Sequence, residues 1–564
     1  MKLTEWMYER PDMETLAEQF RDAMVEFNEA NSEISQWSVL QSIYQIFDEF
    51  ETMYNISFIR HTQDTSDEVW LTEKRFFDEA LPTFQGWQAK LMRAMLDSQF
   101  RGKLEERIGC QAFLLAASSV KTYSSAVEDE LRKENEQSTN HLVWISQAKI
   151  DFDGEAKTLS EMLVYQQSQD RGVRKNALNA VYSWMQERAE QFDTLYHDLV
   201  SVRTSIARQL GFEDFVGLGY ARMNRIDYNR EDVAGFREAV KRHIVPLLTE
   251  LAERQRQRIG VNTLTYYDAP FRFSSGNPRP RGDMDWVEET AARMYDELSE
   301  ETGAFFRFMR ENELMDLKKR PNKAMMGYCT YVPGYASPFI FSLDNGTSFD
   351  VIVVTHEAGH AFQKYMNQHT DVPEYRNPTK ETAEIYSKSM ELFTWPWMEK
   401  FFGKDTEKFK FDHMVSSLGE IAYVAMYDEF QEMSYSHPEW TREQRRQAFR
   451  RLQATYEPYI DTEGHPYLEG GYSFHMFQHI YRVPFYTIDY ALAQVSAFQF
   501  WSEAERNRSE AWEKYITLTK LSGSRPFQQL LQTAGLRSPF EDRCVADVMA
   551  AVKSYLDNVN DKIL

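Results

Sequence analysis

Along most of this chain apolar residues recur at the three-and-four spacing that gives a helix one buried stripe. The pattern runs over Asp12 to Asn31, Val173 to Leu210, Arg230 to Ile259, Asp283 to Asn312 and Glu541 to Asn558, and it predicts a mainly α protein. Strand candidates are few. Pro338-Phe339-Ile340-Phe341 opens a short apolar run, residues 338–343, that reads as an edge strand able to pair with an extended peptide. Lys149-Ile150-Asp151-Phe152 followed by Asp153-Gly154 reads as a small hairpin or turn. The least regular stretch, Tyr266 to Pro280, reads as a surface loop or a domain boundary.

One stretch combines apolar patterning with chemistry. The run Val351-Ile352-Val353-Val354 is β-branched, poor for a surface helix but acceptable in a buried one, with Thr347 or Ser348 as N-cap and Asp350 in the first turn. It leads into His356-Glu357-Ala358-Gly359-His360. At helical spacing the two imidazoles lie on one face and can share a metal ion, with Glu357 beside them. Catalytic zinc takes three protein ligands, so one more is needed. No histidine stands at the short distance of the pattern H-E-x-x-H-x-x-G-x-x-H, since position 363 is Gln and position 366 is Met. The segment Asn377 to Phe393 begins with a cap-and-proline signal and then runs helically, carrying three carboxylates. Glu381 falls in the first turn, where the helix dipole alone accounts for it. We assign Glu384 as the third ligand of a single Zn2+ ion and Glu391 as the acceptor that orients a ligating imidazole. Cobalt or manganese would suit the same donors.

Hydrolysis at such a site also needs a donor for the oxyanion, worth about 3 kcal/mol. Tyrosines and histidines concentrate between 465 and 490: His465, Tyr467, Tyr472, His475, His479, Tyr481, Tyr486 and Tyr490. His475 and His479 have the spacing of a second metal pair, but no glutamate follows the first. They read better as one buried and one site-facing histidine.

The pattern H-E-x-G-H followed by E-x-x-S-x-x-M-E resembles the oligoendopeptidase F branch of the thimet oligopeptidase family. Gly327-Tyr328-Cys329, Pro338-Phe339-Ile340-Phe341 and Gly346-Thr347 resemble the family's lead-in to the metal helix, and Gly470-Gly471-Tyr472 with His479 to Tyr486 resemble its substrate-side motif. The resemblance implies zinc on His356, His360 and Glu384, with Glu357 as general base. It favours His479 and Tyr486 as donors to the substrate carbonyl, then Tyr472. It also implies a large helical two-part body around a deep channel, with a small β element next to the metal helix. A mostly helical part, residues 1–325, would pack with a catalytic part, residues 326–564, into one body. The implied activity is zinc-dependent cleavage of internal bonds in short unfolded peptides, by Glu-assisted attack of water activated on the zinc. Members called Pz-peptidases cut collagen-derived peptides. One departure is Tyr467, which stands where thimet-type members carry histidine. A peptide-binding or chaperone-like protein without turnover is an alternative, but it has no use for Glu357. A zinc metallocarboxypeptidase would need a group to capture the terminal carboxylate, and the sequence identifies none.

Composition narrows the partners. A net charge of −23, from 64 basic and 87 acidic residues, argues against nucleic acid. Three widely spaced cysteines, Cys110, Cys329 and Cys544, read as reduced thiols. The start Met1 to Trp6 has no signal-peptide core, and no stretch of about 20 apolar residues occurs, so the expectation is a cytoplasmic protein without membrane contact. The sequence leaves the oligomeric state open.

Overall fold

The structure, a computed structural model, describes the backbone of residues 1–564 and every side chain except that of Ser125. Helices α1 (Met13–Glu29), α2 (Glu33–Gln63), α3 (Glu68–Asp97) and α4 (Glu128–Ser146) open the chain. A hairpin of β1 (Ile150–Phe152) and β2 (Glu155–Lys157) follows, then α5 (Ala189–Gln209). Strands β3 (Met315–Asp316), β4 (Tyr328–Val332) and β5 (Ser337–Phe341) precede α6 (Phe349–Met366) and α7 (Lys380–Phe393). Helices α8 (Thr406–Ser436), α9 (Arg442–Tyr456) and α10 (Ile488–Ala504) come next. The molecule is mainly α, as the periodicity predicts. No helix among the described residues is long and apolar enough to cross a membrane.

Two compact units divide the chain. Unit 1 combines residues 1–120, 279–403 and 503–536; unit 2 combines 121–278, 404–502 and 537–564. The expected boundary at 325/326 falls inside unit 1, between β3 and β4.

Several predicted stretches break where local chemistry competes with the apolar stripe. Asp283 to Asn312 becomes two helices because Ser299 caps the second, accepting from the Thr302 amide at 3.2 Å. Val173 to Leu210 breaks near Arg188, and Arg230 to Ile259 carries a wide turn at Val240–Ile244 just ahead of Pro246. The Asp153-Gly154 turn puts both residues at positive φ, 56° and 77°, which suits the tight two-residue connection of β1 and β2.

Two expectations need correction. Residues 338–343 are not an edge: β5 lies between β3 and β4 and all five of its residues are buried, because the sheet order is β3-β5-β4. The strands with one side unpaired are β3 and β4, and the far side of the longer one, β4, has no backbone partner among the described residues. Of the two readings of Tyr266 to Pro280, the boundary holds, since the chain passes from unit 2 to unit 1 at 278/279, and the loose surface loop does not. Asp268 is fully buried between Arg171 and Arg174, and the Gln255 amide donates to the carbonyls of Asp268, Ala269 and Phe271. These bonds satisfy a buried backbone that has no ladder of its own.

Candidate active site

In unit 1, α6 starts without the expected side-chain cap from Ser348. The Thr347 hydroxyl accepts from the Phe349 amide at 3.2 Å. Asp350 turns back to accept from the amides of Asn345 and Gly346, at 2.9 and 2.8 Å, closing a turn in which Gly346 has φ 75°. The β-branched residues that follow pack inward, with Val351 and Val354 buried.

Helix α7 crosses α6 at its closest point opposite Gly359. A Cβ there would stand 2.6 Å from the Ser387 Cα and 2.6 Å from the Tyr386 carbonyl oxygen. Only glycine permits this approach, and the approach carries Glu384 to the two histidines. Glu384 Oε2 lies 3.5 Å from His356 Nε2 and 3.7 Å from His360 Nε2, and the two rings stand edge to face at 4.9 Å. One donor atom from each of the three residues falls within 4.8 Å of the others. A tetrahedral ion with bonds of about 2.0–2.2 Å spaces its donors roughly 3.3–3.6 Å apart, so the set fits a zinc-type cation. Glu381, also buried, is not in this group.

The surroundings explain how the donors are kept ready. Glu391, 3% exposed, meets His356 Nδ1 at 2.6 Å, which leaves Nε2 as the free ligand atom. Ser387 donates to Glu384 Oε2 at 3.2 Å. Burial opposes charge on His356, but the hydrogen bond and charge of Glu391, with Glu384 and Glu357, outweigh it and raise its pKa to about 9. Burial, then the neighbouring His356, Lys364 and Lys380, depress His360 well below the usual imidazole range. Glu357 is pushed up to about 7 by burial, with Glu384 and Glu391 adding repulsion and His356 opposing. Its Oε2 is buried with no hydrogen-bond partner. A buried carboxylate oxygen left unpaired is costly unless a ligand completes it.

Unit 2 holds the predicted donors. His479 is half-buried, its Nδ1 unpartnered, with ring centres of Phe477, Tyr486 and Tyr490 at 5.0, 6.1 and 6.4 Å. Burial, and then Arg482, lower its pKa, which favours the neutral ring. Tyr486 packs on Tyr490 at 5.0 Å. Tyr472 is half-buried and stacks on Tyr467 at 5.8 Å. Three others of the aromatic set, Tyr467, His475 and Tyr481, lie in the core. Tyr467 and Tyr481 are fully buried, His465 accepts from the Tyr467 amide at 3.3 Å, and His475 is fully buried against Asp193 at 2.8 Å.

Sequence reasoning passed over Gly359, whose place inside H-E-x-G-H was a usable signal. It also passed over Asp193 and Arg203, which lie on α5, far in sequence from the segment they hold. Burial pushes the Cys329 thiol up to about 12, which disfavours the thiolate.

Residues 3–123 match the peptidase M3 N-terminal domain, and residues 164–549 match peptidase family M3. Among solved structures, a candidate oligoendopeptidase F is 48% identical over the whole of both chains, with a TM-score of 0.95. A Pz peptidase A solved with an inhibitor is 47% identical, again over both whole chains and at TM-score 0.95. A candidate oligoendopeptidase F from Bacillus anthracis is 44% identical, covering 100% of this chain and 99% of its own, at TM-score 0.91. No curated protein matches. With its larger matched segment spanning more than half the sequence, the chain belongs to peptidase family M3 and is a metalloendopeptidase.

Proposed function

We propose that this protein is a zinc-dependent oligoendopeptidase that hydrolyses internal bonds of short unfolded peptides, collagen-derived peptides among them. The observation that carries the reading is the convergence of His356, His360 and Glu384 beside the unpartnered carboxylate of Glu357. The collagen element rests on similarity to the Pz peptidase.

When bound, a divalent cation on these three donors supplies Lewis acidity, activating a water and polarising the scissile carbonyl. Glu391 fixes the His356 tautomer so that Nε2 keeps its lone pair for the ion. Glu357 takes the proton of the attacking water and hands it to the leaving nitrogen. His479 and Tyr486, with Tyr472, serve as donors to the carbonyl oxygen as charge develops on it. The unpaired side of β4 offers main-chain groups to an extended peptide, an interaction that asks little of the peptide's sequence. A cytoplasmic setting fits this reading and is supported by three cysteines that remain free thiols.

The test is a mixed peptide library digested with and without a chelator and mapped by mass spectrometry. Internal cuts that vanish with the metal support the reading, and chelator-insensitive cleavage sinks it. Glu357→Gln should keep the metal and lose roughly 10²–10⁴-fold in kcat; full activity in that variant would remove Glu357 from its role.

A further inference from the structure

Tyr472 does not stand by its own packing alone. It follows Gly470 and Gly471, and both glycines are required by neighbours. A Cβ on Gly470 would fall onto the Tyr472 ring, and a Cβ on Gly471, at φ 72°, would fall onto the carbonyl oxygen of Arg446. From α9, Arg446 reaches over the Tyr472 ring, its guanidinium carbon 4.7 Å from the ring centre. The same guanidinium forms an ion pair with Asp193 of α5, a residue 4% exposed. The other oxygen of Asp193 meets His475 Nε2 at 2.8 Å, and His475 lies three residues beyond Tyr472, their rings 5.7 Å apart. The His475 carbonyl is tied in turn to His141 Nε2 of α4 at 2.8 Å. Asp193 therefore fixes Tyr472 from two directions, through the cation above its ring and through the imidazole that pins the following turn.

We propose that Asp193 and Arg446 are positioning residues for Tyr472, setting the ring orientation in which its hydroxyl can donate to the substrate. This rests on the role given to Tyr472 under the proposed function. Asp193 touches no reacting atom. Its effect passes through Arg446 and His475, and misplacing a donor by about 1 Å is enough to lower turnover by as much as a hundredfold.

A double-mutant cycle of Asp193→Asn and Tyr472→Phe, read as kcat and KM on one quenched peptide, tests this. Asp193→Asn should lower kcat roughly tenfold and change KM less than about threefold, and in the Tyr472→Phe background it should change kcat less than about twofold. An equal fall in both backgrounds would mean a general structural role and overturn the proposal. If Tyr472→Phe lowers kcat while Asp193→Asn leaves it intact, positioning fails and the donor role stands. If Tyr472→Phe itself changes nothing, the donor role fails and takes the proposal with it. Should Asp193→Asn not fold, Arg446→Lys replaces it in the same cycle, keeping a cation for Asp193 but losing the flat face over the ring. Its kcat loss should likewise disappear with Tyr472→Phe; persistence would overturn the assignment.

Discussion

His356, His360 and Glu384 stand on two long helices whose backbones touch at Gly359, whereas Tyr472, His475 and His479 lie in a run of short turns between residues 465 and 483. The first group needs few outside partners, because helix periodicity already aligns the histidines and one close crossing brings the carboxylate. The second group has no such scaffold and is held by buried charges on distant helices. Arg203, fully buried on α5, donates to the carbonyls of Ile480 and Tyr481, the two residues after His479, and is itself held by Glu134 of α4 at 2.7 Å. Regular secondary structure positions side chains cheaply. Irregular backbone must have its carbonyls and amides satisfied one at a time, and here side chains with full charges do it.

If this contrast is right, variants of the two groups should fail in different ways. Glu384→Ala removes a ligand and should abolish metal binding, with peptide cleavage down by more than about a thousandfold. Retained stoichiometric zinc by elemental analysis would refute the ligand assignment. Glu391→Gln should weaken metal affinity by roughly 10–100-fold, read by competition with a chromophoric chelator, while the fold persists. Gly359→Ala forces α6 and α7 apart and should lower stability by about 1–3 kcal/mol together with metal affinity. Gly471→Ala strains the donor segment instead and should lower kcat with metal affinity unchanged; a matching loss of metal would erase the distinction between the groups. The smallest effect concerns acid. Burial opposes the Glu134 charge, but Arg203 and Arg222 more than offset it and hold its pKa below the ordinary carboxylate value. Such a depressed group contributes stability that is fully present above its unfolded pKa of about 4.3 and is lost as pH falls through the folded value. Denaturant midpoints should therefore drop as pH falls below about 5 in the parent and drop less steeply in Glu134→Gln.

The legibility of the sequence follows the same division. Spacing placed His356 and His360 on one face, because i, i+4 geometry on a helix is fixed by the backbone. It also separated Glu384 from the capping Glu381, and the structure groups the former with the histidines. Which rings of the 465–490 segment face outward was not readable. Tyr467 and Tyr481 are buried while Tyr472 and His479 are half-exposed, and nothing in local periodicity separates them, since the segment is not one helix. The edge assignment for 338–343 failed because two-residue β3 carries no strand signal of its own, so the neighbour that covers β5 was invisible.

Helix α7 carries a further implication, for the order in which the chain is made. Its Tyr386 hydroxyl donates to the carbonyls of Leu518 and Ser522, and the Tyr515 hydroxyl donates back to the Tyr386 carbonyl at 3.0 Å. Phe393 at the end of α7 packs on Trp512 and Tyr515, both at 5.2 Å. The partner at 518 is synthesised 132 residues after the tyrosine it receives. A nascent chain that has just emerged past Glu384 thus holds His356, His360 and Glu384 yet lacks the bracing of the helix that carries the carboxylate. The helix that carries Glu384 therefore gains its full bracing only when residues 512–522 have been made.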